Sequence, residues 1–285
     1  MPAQEPLFQL FSFPCLGSTM DEARALAREG FTGAAIVRAD TQTSGRGRIG
    51  GRTWVDAPKL SLLMTILLPA DFKEAKALPL RAGLGVVRAL EETAALNETV
   101  MIQRDGKPAA RSYKFRLKWP NDVLVQPHPQ REPGVRSAAA IPRDGAAYGK
   151  LCGILCESAQ GRILIGIGMN LRSPPPVRSH SGLQPASLEE TWGCLPPPFD
   201  NLDEAAHYVA QQVIDTLSDP QWHSEYERRL WGRGSTLQFL AGHPQSPERM
   251  QGMCVGIDED GALILNIEGE KKTFASGEIA SLRLV

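Results

Sequence analysis

The chain has 285 residues and a mass of 31.0 kDa, enough for one large domain or a large domain joined to a small one. With 42% hydrophobic and 22% charged residues it is not a disordered chain, and 31 basic against 32 acidic side chains argue against a broad polyanion-binding surface. No apolar run exceeds strand length, the N-terminus lacks the basic region of a signal peptide, and the five cysteines contain no C-x-x-C pair. A soluble protein of a reducing cytoplasm, with no disulfide scaffold or zinc ribbon, is therefore expected.

The first strong local signal starts at Ser18. Ser18 and Asp21 have capping-box spacing, Asp21 and Glu22 place acids in a first turn, and Gly30 suits a left-handed stop, so a helix is predicted over about 20–29. Residues 34–38 read as a buried strand that runs into a polar, Gly-rich loop from 41 to 53. Residues 60–68 read as a second strand, and 81–96 as a core-facing helix with apolar residues at 84, 87 and 90. Residues 115–119 and 123–125 form a predicted strand pair around the turn Pro120-Asn121-Asp122.

Residues 126–147, with four prolines, are expected to be a mobile surface insertion. Next come strands at 148–157 and 162–170 in a hairpin around Ala159-Gln160-Gly161, a Pro-rich loop over 173–200, and helices near 201–218 and 220–231. After Gly232-Arg233-Gly234, five short strands (237–240, 253–257, 262–267, 273–275, 280–284) with turns at Asp260-Gly261 and Glu268-Gly269 suggest a small β-barrel. The division is thus 1–232 and 233–285.

The most informative stretch is Thr43-Ser44-Gly45-Arg46-Gly47-Arg48-Ile49-Gly50-Gly51-Arg52-Thr53-Trp54. Gly45-x-Gly47-x-x-Gly50 formally matches a dinucleotide fingerprint, but that motif must open a helix, and Val55-Asp56-Ala57-Pro58 stops one. A P-loop also fails, because no Lys precedes Thr53. There remain three guanidiniums and no acid between 41 and 55. Glycines let backbone N–H groups approach an anion, and arginine forks suit carboxylate and phosphate oxygens. The alternative is a solvated surface loop.

Two further stretches are cationic. Residues 106–121 hold Lys107, Arg111, Lys114, Arg116 and Lys118 with no acid, and Asp122 follows at once. Lys118 with Asn121 and Asp122 could hold a phosphate and a hydrated Mg²⁺; an exposed strand-end pair is the alternative. No RNP-like motif accompanies this stretch to support RNA binding. Lys150 opens the apolar strand Leu151-Cys152-Gly153-Ile154-Leu155-Cys156, where a half-buried ammonium is costly unless it meets an anion, or snorkels at an edge. Cys152 and Cys156, an even number apart, share a strand face and read as core fillers. None of the five histidines pairs with a Ser or Cys in a triad.

Ser18-Thr19 at a helix start, Gln42 before Gly45-Arg46-Gly47-Arg48, Lys118-Trp119-Pro120-Asn121-Asp122, Lys150-Leu151-Cys152-Gly153-Ile154-Leu155 and Gly166-Ile167-Gly168-Met169-Asn170-Leu171 occur in this order. Together they resemble bacterial biotin protein ligases, and the tail from Gly256 to Ile279 looks like that family's SH3-like C-terminal domain. The resemblance implies a mixed-sheet α/β or α+β catalytic domain of the biotin/lipoate ligase type with a C-terminal SH3-like β-barrel. It also implies a two-step reaction: ATP, with Mg²⁺, activates biotin as biotinyl-5′-AMP, and a lysine of a biotin carboxyl carrier protein takes the biotinyl group. No prosthetic group is implied.

By the same resemblance, Ser18, Thr19, Met20, Gln42, Gly45, Arg46, Gly47, Arg48, Lys150 and Gly153 surround biotin. Arg48, Arg52, Trp54, Lys118, Asn121 and Asn170 contact the nucleotide, with Trp54 stacking on adenine. Arg48, Lys150 and Lys118 are the catalytic candidates, and Asp122 is the candidate Mg²⁺ ligand. Met20 stands where many relatives have Asn, the Gly-Arg loop holds one extra Gly, and the 126–147 insertion lengthens the Asp122–Lys150 spacing. With the first motif at residue 18 there is no room before it for a helix-turn-helix module, so no DNA binding is expected; nor is a membrane partner, and a homodimer stays open. A lipoate or octanoate ligase and a non-catalytic biotin or nucleotide binder are the rival readings.

Overall fold

The computed structural model describes residues 8–47, 54, 58–73, 76–105, 114–126, 148–172, 183–242 and 247–285. The chain runs through β1 (Gln9–Phe13), α1 (Thr19–Arg28), β2 (Ala35–Ala39), β3 (Ser61–Leu67), α2 (Leu78–Asp105), β4 (Phe115–Lys118) and β5 (Asp122–Val125). It continues with β6 (Gly149–Ala159), β7 (Arg162–Asn170), β8 (Gln184–Pro185), α3 (Leu188–Trp192), α4 (Leu202–Leu217) and α5 (Trp222–Arg229). These strands form one mixed sheet in the order β1-β2-β3-β7-β6-β5-β4, with β8 beside β6; β1–β2 and β6–β8 are parallel and the other pairs antiparallel. Five more strands, β9 (Thr236–Ala241), β10 (Glu248–Ile257), β11 (Leu263–Ile267), β12 (Glu270–Phe274) and β13 (Ile279–Leu284), form a second, antiparallel sheet.

Strand parity divides the large sheet between two chemistries. Ile36, Leu62, Met64, Ile66, Cys152, Ile154, Ile163, Ile165, Ile167 and Met169 point one way and merge with Leu84, Val87 and Leu90 of α2 and Val209 and Val213 of α4 into the main core. Ala35, Val37, Leu67 and Leu164 point the other way, under Met20 and Ala23 of α1. The short α1 covers only part of that face, and the uncovered remainder is where the polar motifs gather. Cys152 and Cys156 do share a face, on the core side, and burial pushes both thiols up and out of reach of ordinary deprotonation.

Most predicted elements are present with shifted ends. Ser18 caps α1 through a hydrogen bond from Met20 N to its Oγ (3.2 Å), and Gly30 takes φ +87° just past the helix. The β6–β7 hairpin turns on Gln160 and Gly161, both at positive φ, and the β11–β12 hairpin on Glu268 and Gly269 in the same way.

One strand is added and three readings change. The edge strand β1 has no clear sequence signal, because Gln9 and Ser12 interrupt its apolar residues. The segment 173–200 is not all loop: Ser187 caps the five-residue α3, closed by Gly193 at φ +81°, a helix too short to show a period. Helix α5 stops at Arg229, and Leu230 and Trp231 instead bond to β4 through Trp231 N to Leu117 O (2.9 Å). The small sheet runs in the open order β12-β11-β10-β9-β13 among the described residues; no β12–β13 pairing closes it into a barrel. The 126–147 insertion lies outside the described residues beyond Gln126.

Helix α2 crosses α4 where Gly85 meets Val213: a Cβ on Gly85 would lie 2.6 Å from Val213 Cα and 2.9 Å from Gln212 O. In an exposed helix, Gly→Ala stabilises by about 1 kcal/mol. Here the collision is with backbone, and overpacking of this kind costs about 1–3 kcal/mol. Gly85→Ala should therefore lower the urea midpoint rather than raise it.

Candidate active site

One transverse row of the large sheet organises the site. Register pairs Lys118 with Asp122, Asp122 with Gly153, Gly153 with Gly168 and Gly168 with Leu63. Directly opposed residues share a face, and this row lies on the α1 side, beyond the helix's reach. Lys118 and Asp122 stand at its end, and two glycines make its middle a floor without side chains.

Lys150 reaches that face through a bulge. Residues 150 and 153 are an odd number apart and in a regular strand would point to opposite sides. The register slips between Val123 and Leu124, so that Leu124 faces Lys150 while Asp122 faces Gly153. The lysine thereby lands on the site face, its Nζ 2.6 Å from Asp122 Oδ1, with side-chain exposures of 23% and 11%. The contact is ionic rather than a directed hydrogen bond, since Oδ1 has no partner with hydrogen-bond geometry.

The polar wall comes from α1 and the loop after β2. Gln42 Oε1 accepts from Thr19 N (2.7 Å) and Thr19 Oγ1 (3.2 Å), and Thr19 Oγ1 shares a hydrogen bond with Thr65 Oγ1 of β3 (2.9 Å). Thr43 and Ser44 bond back to Leu16 O and Gly17 O at 2.9 and 2.8 Å, which seats the loop on the chain ahead of α1. Arg46 forms an ion pair with Asp21 of α1, and Asp21 also binds Arg24 (2.5 Å). Burial pulls the Asp21 carboxyl upward, but the two guanidiniums outweigh it and hold the group below its usual range.

Trp54 closes the arrangement. Its backbone N–H donates to Gly45 O (3.0 Å), and its ring lies on the floor: a Cβ on Gly168 would meet ring carbons at 3.0–3.1 Å, and one on Gly153 at 3.2 Å. Lys150 Nζ is 5.9 Å from the ring centroid. The indole Nε1 is buried without a hydrogen-bond partner, a donor left unmet at a cost of about 1–3 kcal/mol.

Ser18, Thr19, Gln42, Gly45, Trp54, Asp122, Lys150 and Gly153 are thus gathered around one open patch of sheet, with Lys118 at the end of the same row. Lys118 is buried, its Nζ 5.8 Å over the Trp231 ring. Asn121 and Asn170 both bond to backbone. Asn121 Nδ2 donates to Ile154 O (2.8 Å), and Asn170 Nδ2 donates to Ala186 O (3.0 Å) and Lys150 O (3.4 Å). Both spend amide donors on backbone and hold the frame around Lys150. Met20 packs in the small core under α1, its Cε against Gly166, and offers no polar group. Arg48 and Arg52 lie outside the described residues, as do Lys107 and Arg111.

Three residues at the site were not among the expected site residues, although two of them lie in a motif that carries the resemblance. Gly166 and Gly168 alternate on one face of an otherwise apolar strand, which is itself a sign of close approach. Thr65 is the one polar residue inside Leu62–Leu68 and anchors Thr19. Among the described residues no group of three or more His, Cys, Asp or Glu side chains is placed to hold a metal, and Asp122 is engaged by Lys150. This donor set does not fit a resident metal ion.

Residues 13–172 match the biotin/lipoate A/B protein ligase family, and residues 248–281 match the biotin protein ligase C-terminal domain. A biotin–[acetyl-CoA-carboxylase] ligase of Mycobacterium tuberculosis is 25% identical over 92% of this chain and 84% of its own. The bifunctional ligase/repressor BirA of Bacillus spizizenii is 32% identical over 92% of this chain and 70% of its own. Among solved structures, the biotin protein ligase of Aquifex aeolicus in complex with biotin and ATP superposes with a TM-score of 0.69 at 25% identity, covering 97% of this chain and 99% of that one. By the family model over most of the large sheet and by a relative at this identity, the chain belongs to the biotin/lipoate A/B protein ligase family.

Proposed function

We propose that this ligase activates biotin with ATP as biotinyl-5′-AMP and transfers the biotinyl group to a lysine of a biotin carboxyl carrier protein. The observation that carries the reading is the Lys150–Asp122 pair at the edge of a glycine floor roofed by Trp54. In the first step a biotin carboxylate oxygen attacks the α-phosphorus and pyrophosphate leaves. In the second the carrier's lysine amine, losing a proton, attacks the acyl carbon and AMP leaves.

The difficulty of the first step is electrostatic. Two unit negative charges ~4 Å apart repel by roughly 4 kcal/mol at an effective dielectric of 20. Lys150, fixed by Asp122, is the cation placed to offset that charge and the charge that develops on the transferring phosphoryl group. Arg46 and Lys118, with Arg48 and Arg52 by family resemblance, add to the same field. Gly153 and Gly168 let the Trp54 ring lie directly on backbone, while Gly45 and Gly47 let the loop come close to a ligand.

Ser18, Thr19 and Gln42 suit a ureido head, which brings N–H donors and a carbonyl acceptor; a dithiolane or alkyl tail brings neither. The unmet Trp54 Nε1–H supplies one more donor for a bound anion, besides the ring face expected to stack on adenine. Asn121 and Asn170 support the nucleotide side through the backbone they hold. Mg²⁺ would enter with the ATP phosphates, its usual mode of binding, rather than as a resident ion.

Purified protein with ATP and Mg²⁺ should release pyrophosphate in the presence of biotin and not of lipoate. Release with lipoate alone would make it a lipoate ligase, and release with neither would leave a binder. Lys150→Met should slow pyrophosphate release by about 10²–10³-fold, the usual effect of removing one preorganised charge-stabilising group, while biotin affinity by calorimetry falls far less. Arg48→Ala should let biotinyl-5′-AMP escape into solution, detectable after gel filtration, because the loop loses an anion contact.

A further inference from the structure

The turn that carries Asn121 and Asp122 is gripped from two sides. On one side Ile154 N donates to Asn121 O (2.9 Å) and Asn121 Nδ2 donates to Ile154 O (2.8 Å), which ties the turn to β6. On the other, the indole Nε1–H of Trp119 donates to Gly261 O (2.9 Å) of the small sheet, and Trp119 is only 2% exposed. The bond joins residues 142 positions apart.

Gly261 is itself firmly placed. Asp258 Oδ1 accepts from Asp260 N (3.0 Å) and Ala262 N (2.8 Å), and Gly261 N donates to Asp258 O (3.0 Å). Gly261 sits at φ +84°, and a Cβ there would fall 2.5 Å from Ala77 Cβ at the start of α2. Only glycine fits both the backbone angle and the contact. A bond of this kind, between a buried donor and a rigid acceptor, fixes the height of the chain just after Trp119. Pro120-Asn121-Asp122 occupies that position, and Asp122 in turn holds Lys150.

From this geometry we infer that Trp119 is a positioning residue for the nucleotide half of the site, through which the small sheet sets the turn that carries Asn121 and Asp122. The inference rests on the proposed function, in which Asn121, Asp122 and Lys150 serve the nucleotide and phosphoryl transfer. The biotin-side group of Ser18, Thr19 and Gln42 hangs on α1 and β3, which the Trp119–Gly261 bond does not reach. Loosening the bond therefore acts mainly on the nucleotide and reaches biotin only through the carboxylate that Lys150 meets.

The test compares Trp119→Phe, which removes the donor, with Gly261→Ala, which strains the acceptor turn from the other sheet. Val209→Ala, in the α2–α4 core away from the turn, serves as the destabilised control. Trp119→Phe should raise the KM for ATP about tenfold, the factor that one hydrogen bond of about 1.4 kcal/mol produces, with biotin Kd within twofold of the parent. Gly261→Ala should shift ATP in the same direction, and Val209→Ala should shift neither substrate.

An ATP KM within twofold of the parent in Trp119→Phe, or biotin Kd moving as much as ATP, would overturn the inference. If Trp119→Phe does not fold, Gly261→Ala carries the test alone with the same outcomes. ATP affinity measured by calorimetry on the same proteins reads the effect without turnover. A parent protein that binds ATP but makes no pyrophosphate with biotin would thus refute the proposed reaction and still test the role of Trp119.

Discussion

An ammonium held 2.6 Å from a carboxylate on the open face of an apolar sheet is the contact on which the site depends. Neither charge would be stable there alone, because each loses most of its water and the surrounding strands offer only hydrocarbon and paired backbone. The pair exists because one extra residue in β6 turns Lys150 away from the α2 side. Without that bulge the ammonium would point into the core formed by Ile154, Ile165 and Ile167. The irregularity that costs the sheet a regular ladder is what places a cation on the open face.

The glycine floor depends on the same division of faces. On the α2 and α4 side the strands carry branched and sulfur-containing side chains, which are buried in one cluster with those of the helices. On the α1 side Gly153, Gly166 and Gly168 replace those side chains, and a ten-residue helix cannot cover the full width. Trp54 rests on the gap with an unmet donor. The site is thus a region where packing has been left incomplete on one side of a sheet whose other side is complete.

Net charge near zero conceals two populations of cation. Arg38 is buried and paired with Asp40 (2.6 Å) and Asp203 (2.5 Å), which binds β2 to the start of α4. Arg162 donates to Leu68 O (2.9 Å) and Gly33 O (2.7 Å), and Arg229 joins Glu91 (2.7 Å) and Glu225 (3.4 Å). These cations are matched within the scaffold. Lys150, paired with Asp122, Arg46, paired with Asp21, and Lys118 stand instead around the glycine floor. The overall balance of 31 and 32 hides this difference of place.

The sequence by itself determined the elements and the chemistry of the motifs. Period-2 and helical patterns located most strands and helices, Ser18 marked the start of α1, and the Gly-Arg loop with Lys118, Asp122 and Lys150 marked an anion site. These are local properties, set by steric preference and by side-chain type. Tertiary structure alone decided which face each residue served. Lys150 and Gly153 share a face only because of a bulge whose cause lies in pairing with β5. Asn121 and Asn170 clasp backbone at Ile154 O and Ala186 O, partners from other strands and loops that no spacing in the chain reveals. The small sheet's hold on Trp119 was equally invisible, since a contact across 142 residues leaves no period or spacing in the chain, only a surface that forms once both sheets have folded.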